Sequence, residues 1–311
     1  MSMQITEAFV QQYRNNLFHL SQQKGSRLRG AVRSEMQKGK NQFFDRLGQA
    51  VAVKKISRHS DTPQIDSAHS RRRVSLEDYI WADLIDDEDK IRTLIDPASP
   101  YSQSAMWALG RAMDDVIIAA AGGTAYAGEA GSTSVVLPNS QKLLAATEAA
   151  PGTPTNLNVD TLRRAKQLFD EADVDESIPR YMAITSSQLY SLLGQTEITS
   201  ADYNVVKALV NGQVDSFMGF KFIRLERVLN GSNIQYDTST GAIGSGVGSL
   251  ATGRLCFAWA QDGLVLSVGK DMEAKIDPRP DKNYAMQVFA RMSIGATRLE
   301  EEKVVQVICK E

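Results

Sequence analysis

The 311-residue sequence has little of the material that catalysis needs. It contains three histidines, His19, His59 and His69, and all of them precede residue 70, so no serine or cysteine has a base for a catalytic triad. Asp114 and Asp115 are adjacent on a predicted helix and point to different sides, which excludes a general acid–base pair. The sequence therefore predicts no enzyme activity and no cofactor.

Cysteines and long apolar runs are also scarce. Cys256 and Cys309 lack the spacing of a metal site or a redox pair, which predicts two small buried residues in a reducing compartment. The sequence begins without a secretory signal, and no apolar run approaches about 18 residues. We therefore expect neither export nor a membrane span.

Three stretches resemble ligand sites only in part. The glycines of GAIGSGVG (241–248) suggest a phosphate loop, but no lysine follows where such a loop requires one. His59 and His69 lie in one loop without a third metal ligand. The adjacent carboxylates at 86–89 could hold a divalent metal, although carboxylates on an exposed segment are usually solvated. No metal site is predicted.

The net charge of −2 conceals two blocks of opposite sign. Residues 1–58 carry 11 basic and 3 acidic side chains, whereas residues 77–96 carry 8 acidic side chains. Separate blocks of this kind suggest that one surface meets another, between copies of the same chain. Two solvated faces that never meet are the alternative.

The strongest helical signal runs from Pro100 to Ala121. Ser99 suits an N-cap and Pro100 the first helical position, while Gly122 and Gly123 favour an abrupt end. Apolar residues recur between them at helical spacing, namely Met106, Leu109, Met113, Val116, Ile117 and Ala120. The pattern predicts a spine helix over 100–121, on the order of 33 Å long.

A long β-hairpin is predicted before this helix. VAVKKISR (51–58) and RRRVSLEDYIWADL (71–84) have strand-like composition and flank a loop rich in Asp, Ser and Pro. An isolated hairpin is marginally stable in water, so this one needs a partner surface. The preceding residues 1–48 have too few large apolar side chains to fold alone, which predicts an arm ordered by its neighbours.

The second half of the sequence predicts a mixed α/β layer and then mainly strands. The expected elements are a helix with Asp160 as N-cap, a strand at 180–185, a short helix capped by Ser186 or Ser187, a third helix at about 200–210, a strand at 221–225, a glycine-rich excursion at 230–249 and five later strands. In the run 284–299, alternate residues from Tyr284 to Ile294 are apolar and share one face.

Several stretches, taken in order, carry a resemblance to a known family. They are HSDTPQIDSAHSRRRVSLEDY, WADLIDDEDKIRTLIDPASPY, LGRAMDDVIIAAAGGTA, RYMAITSSQLYSLLGQTEITSADYN and LVNGQVDSFMGFKFIRLERV. Together with the order of arm, hairpin, spine helix, α/β unit and returning strands, they resemble the major capsid proteins of tailed bacteriophages over roughly residues 45–300. No single stretch is a fingerprint, whereas the ordered set is specific.

The resemblance implies an α+β fold of the Hong Kong 97 type. The implied parts are an N-terminal arm (1–48), an extended β-hairpin loop (49–84), a peripheral domain (85–155) with the spine helix, an α/β axial domain (156–270) and the return strands of the peripheral domain (271–311). The glycine-rich stretch would then lie near the centre of a capsomer. Lys54 and Lys55 lie near the base of the predicted hairpin, so the crosslinking lysine of some family members is not carried over.

The resemblance also implies a function. It describes a structural protein that self-assembles through pentamers and hexamers into an icosahedral shell around double-stranded DNA, located in the virion and assembled in the host cytoplasm. The implied partners are further copies of the chain, scaffold, portal and decoration proteins and non-specifically bound DNA, with no membrane. An encapsulin-like cellular nanocompartment shell is one alternative, and a nucleic-acid-binding protein is another.

The two charge blocks give one prediction of a site. The predicted contact joins hairpin arginines to the aspartates that follow them, namely Arg71, Arg72 and Arg73 with Asp86, Asp87 and Asp89 of an adjacent subunit. A contact within one chain is the first alternative, and phosphate or nucleic acid bound by the arginine run is the second. Each exposed pair contributes only about 0–1 kcal/mol, so repetition in a shell would supply the strength.

Overall fold

The structure is a computed structural model that describes residues 20–55, 57–58, 61, 64–85, 98–195, 216–244 and 248–311. Within these ranges the helices are α1 (Ala98–Gly122), α2 (Val159–Glu171) and α3 (Ser186–Leu193). The strands are β1 (Arg33–Met36), β2 (Asn41–Leu47), β3 (His69–Ser75), β4 (Glu77–Ile85), β5 (Ala125–Ala127), β6 (Thr133–Val135), β7 (Lys142–Leu144), β8 (Arg180–Ile184), β9 (Ser216–Phe217), β10 (Phe220–Arg224), β11 (Asn230–Tyr236), β12 (Gly248–Ala260), β13 (Leu264–Arg279), β14 (Ala285–Arg298) and β15 (Val304–Lys310).

The chain forms two compact units. Among the described residues, unit 1 comprises 20–26, 78–85, 98–112 and 270–293, and unit 2 comprises the rest. Each unit is therefore assembled from segments that are distant in sequence. Arg71, Arg72 and Arg73 of the predicted contact belong to unit 2.

The predicted spine helix is confirmed with small changes at its ends. Helix α1 begins two residues before the expected start and ends one residue after the expected end. Its buried positions recur every four residues at Ala105, Leu109, Met113, Ile117 and Ala121, each at most 3% exposed. This spacing places one continuous apolar stripe along the helix. Leu109, Met113 and Ile117 were predicted to belong to it, whereas the predicted Met106, Val116 and Ala120 are only half-buried.

The first strand of the predicted hairpin is wrong in its described part. Strand β3 pairs antiparallel with β2, so that Phe43 lies opposite Arg73, and residues 51–55 form no strand. Val51 and Val53 are 70% and 57% exposed. A stable strand needs both a hydrogen-bonded partner and a face to bury, and the residues of β2 alternate between exposed and half-buried, so this earlier segment has one partly buried face.

The expected boundary of the arm at residue 48 is also revised. Leu28, Ala31 and Val32 are 1–3% exposed, and the indole Nε1 of Trp259 donates a hydrogen bond of 2.8 Å to the carbonyl of Ala31. Strand β1 pairs in parallel with β13. From residue 27 onward this segment therefore contributes to the core of unit 2 through Leu28, Ala31 and Val32, whereas Met36 and Leu47 remain 84% and 65% exposed.

The predicted α/β layer is present in unit 2 as a sheet with the order β7-β15-β12-β8-β10-β9, and β11 also pairs with β12. Phe169, Met182, Phe220, Ala258 and Val307 are fully buried in one cluster between this sheet and helices α2 and α3. This cluster is the main core of the unit. The third helix expected at about 200–210 lies outside the described residues.

The caps of the two helices in this layer differ from the prediction by one or two residues. Asn158 rather than Asp160 caps α2, because its Oδ1 accepts a hydrogen bond of 2.8 Å from the amide of Thr161. Thr185 rather than Ser186 or Ser187 caps α3. Asn and Thr both suit this role, so the sequence offered several equivalent choices.

The glycine-rich segment 230–249 contains more regular structure than expected. Strand β11 pairs antiparallel with β12 along most of its length. Tyr236 and Leu250 are each 8% exposed and pack with Ile234 and Ile308 in a second, smaller cluster. This cluster supplies the burial that makes a hairpin stable, and it was not evident from the glycine content.

The later strands confirm the alternation that the sequence indicated. Val288, Ala290, Met292 and Ile294 of β14 are at most 1% exposed, whereas Tyr284 precedes the strand and is 66% exposed. Alternating residues of a strand point to opposite faces, so this face of β14 is the buried one.

The two cysteines are buried and free, as predicted. A hydrogen bond with the Cys256 thiol, together with burial, raises the pKa of the Cys309 thiol well above its usual value. Both side chains are therefore small residues of the core.

Candidate intersubunit site

The arginines of the predicted contact lie on a four-stranded sheet with the order β2-β3-β5-β6. Successive side chains of a strand point to opposite faces, so Arg71 and Arg73 share one face of β3 while Arg72 and Val74 share the other. Arg72 and Val74 are each 2% exposed. We call the face with Arg71 and Arg73 the outer face and the opposite face the inner face.

On the outer face Arg71 is paired with two neighbours from β2. Its Nε donates a hydrogen bond of 2.7 Å to Oδ1 of Asp45, and its guanidinium carbon lies 5.4 Å from the centroid of the Phe43 ring. The hydrogen bond to Asp45 is the main cause that raises the pKa of Arg71. The side chain remains 41% exposed, so part of this cation faces solvent.

Arg73 makes a similar contact with an aromatic ring on the outer face. Its guanidinium carbon lies 5.0 Å from the centroid of Tyr126, the residue directly opposite it on β5. Tyr126 is 44% exposed. The outer face therefore presents two neighbouring arginine–aromatic pairs, an arrangement suited to carboxylate partners because guanidinium groups bind carboxylates in a planar geometry.

An open cavity of about 790 Å³ lies beside these pairs. It is lined by Asp45, His69, Ser70, Arg71, Gly128 and Glu129. Across the described ranges, no group of three His, Cys, Asp or Glu side chains is placed to hold a metal ion. The other loop histidine, His59, lies outside the described residues.

Arg72 does not belong to the outer face, and its place in the predicted intersubunit contact is corrected. It is buried on the inner face, where its Nη2 donates to Oε1 of Glu301 and its Nε lies 3.3 Å from the carbonyl of Leu299. Burial lowers the pKa of Arg72. A guanidinium that is 2% exposed and paired within its own chain cannot reach another subunit.

Arg298 joins Arg72 at the same carboxylate. Its Nε lies 3.7 Å from Oε1 of Glu301, and its Nη1 donates to the carbonyls of Ala121 and Gly123 at 2.9 and 3.0 Å. These carbonyls lie at the C-terminal end of α1, where a cation is favourable. Burial lowers the pKa of Arg298, whose side chain is fully enclosed.

Arg46 is the third cation at Glu301. Its Nη1 lies 3.8 Å from Oε2 of Glu301 and donates to the carbonyl of Leu299, while its Nε donates to Oγ of Ser70 at 3.1 Å. One carboxylate thus holds strands β2 and β3 and the end of β14 together. The sequence analysis did not predict this cluster. The signal that could have indicated it is the charged Arg298 at the end of an otherwise apolar strand.

The acidic half of the predicted contact is not described. Asp86, Asp87 and Asp89 lie outside the described residues, so the pairing between copies stays a prediction. The structure places Arg71 and Arg73 together on one partly exposed face and separates Arg72 from them. The predicted site is therefore reduced to two arginines.

Two aspartates of α1 show the same division between inside and outside. The buried carboxylate of Asp114 accepts backbone hydrogen bonds from Arg27 at 3.1 Å and from Leu28 at 3.1 Å. Asp115 forms a two-pronged pair with Arg227, in which Nε lies 2.7 Å from Oδ1. The prediction that these neighbours point to different sides is confirmed.

None of the helices in the described part of the chain combines the length and the apolar character that a membrane span requires.

Comparison with known proteins gives a family match over nearly the whole chain. Residues 5–311 match the family described as "Phage capsid protein". No curated protein sequence matches the chain.

Solved structures of low sequence identity share the fold. The capsid structure of the cyanophage P-SCSP1u has a TM-score of 0.73 at 17% identity and covers 98% of this chain and 94% of its own. The capsid of Ralstonia phage GP4 has a TM-score of 0.69 at 11% identity, covering 97% and 95%. The capsid asymmetric unit of cyanophage Pam1 has a TM-score of 0.68 at 17% identity, covering 98% and 97%. These neighbours confirm the α+β fold of the Hong Kong 97 type.

Proposed function

This chain belongs to the phage capsid protein family, and from that premise we propose that it self-assembles through pentamers and hexamers into an icosahedral shell that encloses double-stranded phage DNA. The observation that carries this proposal is the family match over residues 5–311, joined to a fold shared with capsid structures along at least 97% of the chain. The family and the neighbours are structural proteins, which supports the prediction that this chain is not an enzyme.

The partners of such a shell protein would be those that the family resemblance implies. Further copies of the chain are the main partner, and scaffold, portal and decoration proteins are additional ones. The excess of basic residues in the first 58 positions would contact packaged DNA through its phosphates without reading its bases. The protein would be located in the virion after assembly in the host cytoplasm.

The outer face of the β2-β3-β5-β6 sheet is the surface we propose for one contact between copies. Arg71 and Arg73 would meet Asp86, Asp87 and Asp89 of an adjacent subunit. Asp45 engages only the Nε of Arg71 within the described residues, which leaves the two terminal amino groups of this guanidinium for a second carboxylate. Arginine binds carboxylates best through two parallel hydrogen bonds, so this remaining edge of Arg71 suits an incoming aspartate.

Sedimentation velocity of the purified full-length chain tests the self-assembly. We expect large particles or capsomers whose fraction rises with protein concentration, and negative-stain microscopy should show shells of uniform size. A chain that remains a compact monomer at every concentration would contradict the proposal.

Reversal of charge on the outer face tests the contact. Arg71→Glu together with Arg73→Glu should block assembly, and adding Asp87→Arg should partly restore it. Arg163→Glu, an exposed reversal on α2, serves as the control and should leave assembly intact. Raising the salt concentration should weaken association more than folding, since exposed charges are screened over about 8 Å at physiological ionic strength. Normal assembly of the double reversal would exclude the contact.

A further inference from the structure

A second cavity of unit 2 has the properties of an anion site. It has a volume of about 260 Å³ and is lined by Lys166, Glu176, Ile178, Pro179, Arg180, Met218, Gly219 and Lys221. Three of these side chains are cations and one is a carboxylate. We propose that this cavity binds an oxyanion, either free phosphate or a carboxylate of a second copy of the chain.

The two lysines of the cavity form no ion pair with an acidic side chain of the described residues. The ammonium group of Lys221 lies 5.8 Å from the centroid of the Tyr181 ring. Glu176, the one carboxylate of the lining, also forms no ion pair within the described part of the chain. Among the described residues, no carboxylate pairs with these lysines, and lysine is a common ligand of phosphate.

Arg180 gives the cavity a fixed and buried cation. It is 5% exposed, and its Nη1 and Nη2 donate hydrogen bonds of 2.9 Å to Oδ1 of Asp170 and to the carbonyl of Val174. Its Nε is buried without a hydrogen-bond partner in the described residues. A buried donor without a partner is unfavourable, so a ligand oxygen that reached this Nε from the cavity would be stabilised.

The backbone at the cavity is unusual as well. Met218 and Gly219 form the two-residue turn between β9 and β10 with φ angles of 52° and 86°. This turn favours Asn, Asp and Gly, and a methionine at positive φ is uncommon. Strained positions of this kind concentrate at ligand sites. The turn places Met218 in the wall of the cavity, next to the cations.

Calorimetric titration of the full-length chain with inorganic phosphate at low ionic strength tests the site. We expect one saturable site per chain, weakened at least about tenfold by Lys166→Gln with Lys221→Gln, because charge-assisted hydrogen bonds are the strong ones. Lys310→Gln removes an exposed lysine outside the cavity and should leave binding unchanged. Glu176→Gln should strengthen binding, a gain that misfolding cannot produce.

The source of the oxyanion is decided by sedimentation in the presence and absence of phosphate. If a second copy supplies a carboxylate, phosphate and the double lysine variant should both shift the chain to smaller species. If the ligand is free phosphate, sedimentation should not change while the calorimetric site remains. The proposal is overturned if no saturable binding occurs and neither treatment alters sedimentation, or if the double lysine variant binds phosphate like the wild type. The phosphate titration does not depend on shell formation, so its failure is distinct from failure of the proposed function.

Discussion

Two glutamates in this protein each face three basic side chains, and they differ in burial. Glu301 in unit 2 is 17% exposed and contacts Arg46, Arg72 and Arg298, the last two almost fully enclosed. Glu273 in unit 1 is 35% exposed and contacts Lys270, Lys275 and Arg291 at 2.5, 3.4 and 3.5 Å.

The two clusters have the same chemistry, a carboxylate among three cations, but they contribute differently to stability. Exposed ion pairs contribute little to stability, because water solvates the separated charges well and salt screens them. A buried cation that loses its carboxylate is not solvated, so removal of one partner is strongly destabilising. Burial therefore makes the Glu301 cluster part of the fold, whereas the exposed charges are available for contacts with other molecules.

Loss of the buried carboxylate should have the largest effect. Glu301→Gln leaves Arg72 and Arg298 enclosed without a counter-charge and should lower the free energy of unfolding by about 3–5 kcal/mol. Urea denaturation followed by circular dichroism measures this loss. Glu302→Gln, a change at the exposed neighbouring position, should be nearly neutral. Equal stability of the two variants would contradict the structural role of Glu301.

The two faces of β3 give the next comparison. Arg72→Met should cost roughly 2 kcal/mol, because it removes hydrogen bonds to Glu301 and Leu299. Arg71→Met should leave the denaturation midpoint unchanged while it reduces the fraction of assembled particles. If Arg71→Met destabilised the fold more than Arg72→Met, our assignment of Arg71 to the outer face and Arg72 to the inner face would be wrong.

The adjacent aspartates of α1 should show the same division at a smaller scale. Asp114→Asn weakens the acceptors for the buried amide of Leu28 and the partly buried amide of Arg27 and should cost about 1 kcal/mol. Asp115→Asn breaks an exposed pair with Arg227 and should cost no more than about 0.5 kcal/mol. Thermal denaturation of both variants measures the difference, and a larger effect at Asp115 would contradict the geometry.

The exposed Glu273 cluster should respond to pH with the smallest effect. Hydrogen bonding to Lys270, followed by the charge of Lys270 and the contacts with Lys275, lowers the pKa of Glu273 from 4.5 to about 2. Because the pKa is lower in the folded state, its stabilisation is present above pH 4.5 and is lost as the pH falls through about 2.

Titration of the Glu273 carboxyl by NMR measures this shift. Lys270→Gln should raise the pKa towards its ordinary value, since it removes the first hydrogen bond. A titration near 4.5 in the wild-type chain would show that the cluster does not form.

Local patterns predicted much of the fold. The helical spacing of α1 lies within one segment, and so does the alternation from Val288 to Ile294 in β14, although the expected N-cap Ser99 lies inside the helix. These signals depend only on neighbouring residues, and the structure confirms both elements. The order of the parts also sufficed to indicate the capsid fold.

Pairing between distant segments could not be predicted in this way. Segment 51–58 has strand-like composition, yet β2 is the partner of β3, because β2 can bury one face. The carboxylate that holds Arg72 lies 229 residues away in sequence, so the arginine run suggested one exposed basic patch. The alternation of side chains along a strand could have separated Arg72 from Arg71 and Arg73, since consecutive residues of a strand cannot share a face.

Cryo-electron microscopy of the assembled full-length chain tests the central claim most directly, namely that this protein forms a shell in which the outer face of the β2-β3-β5-β6 sheet meets a neighbouring copy. The account predicts closed shells in which the guanidinium groups of Arg71 and Arg73 lie within ion-pair distance of carboxylates from an adjacent subunit. Shells in which both arginines face solvent would contradict the contact, and a preparation that contains only monomers would contradict the claim itself.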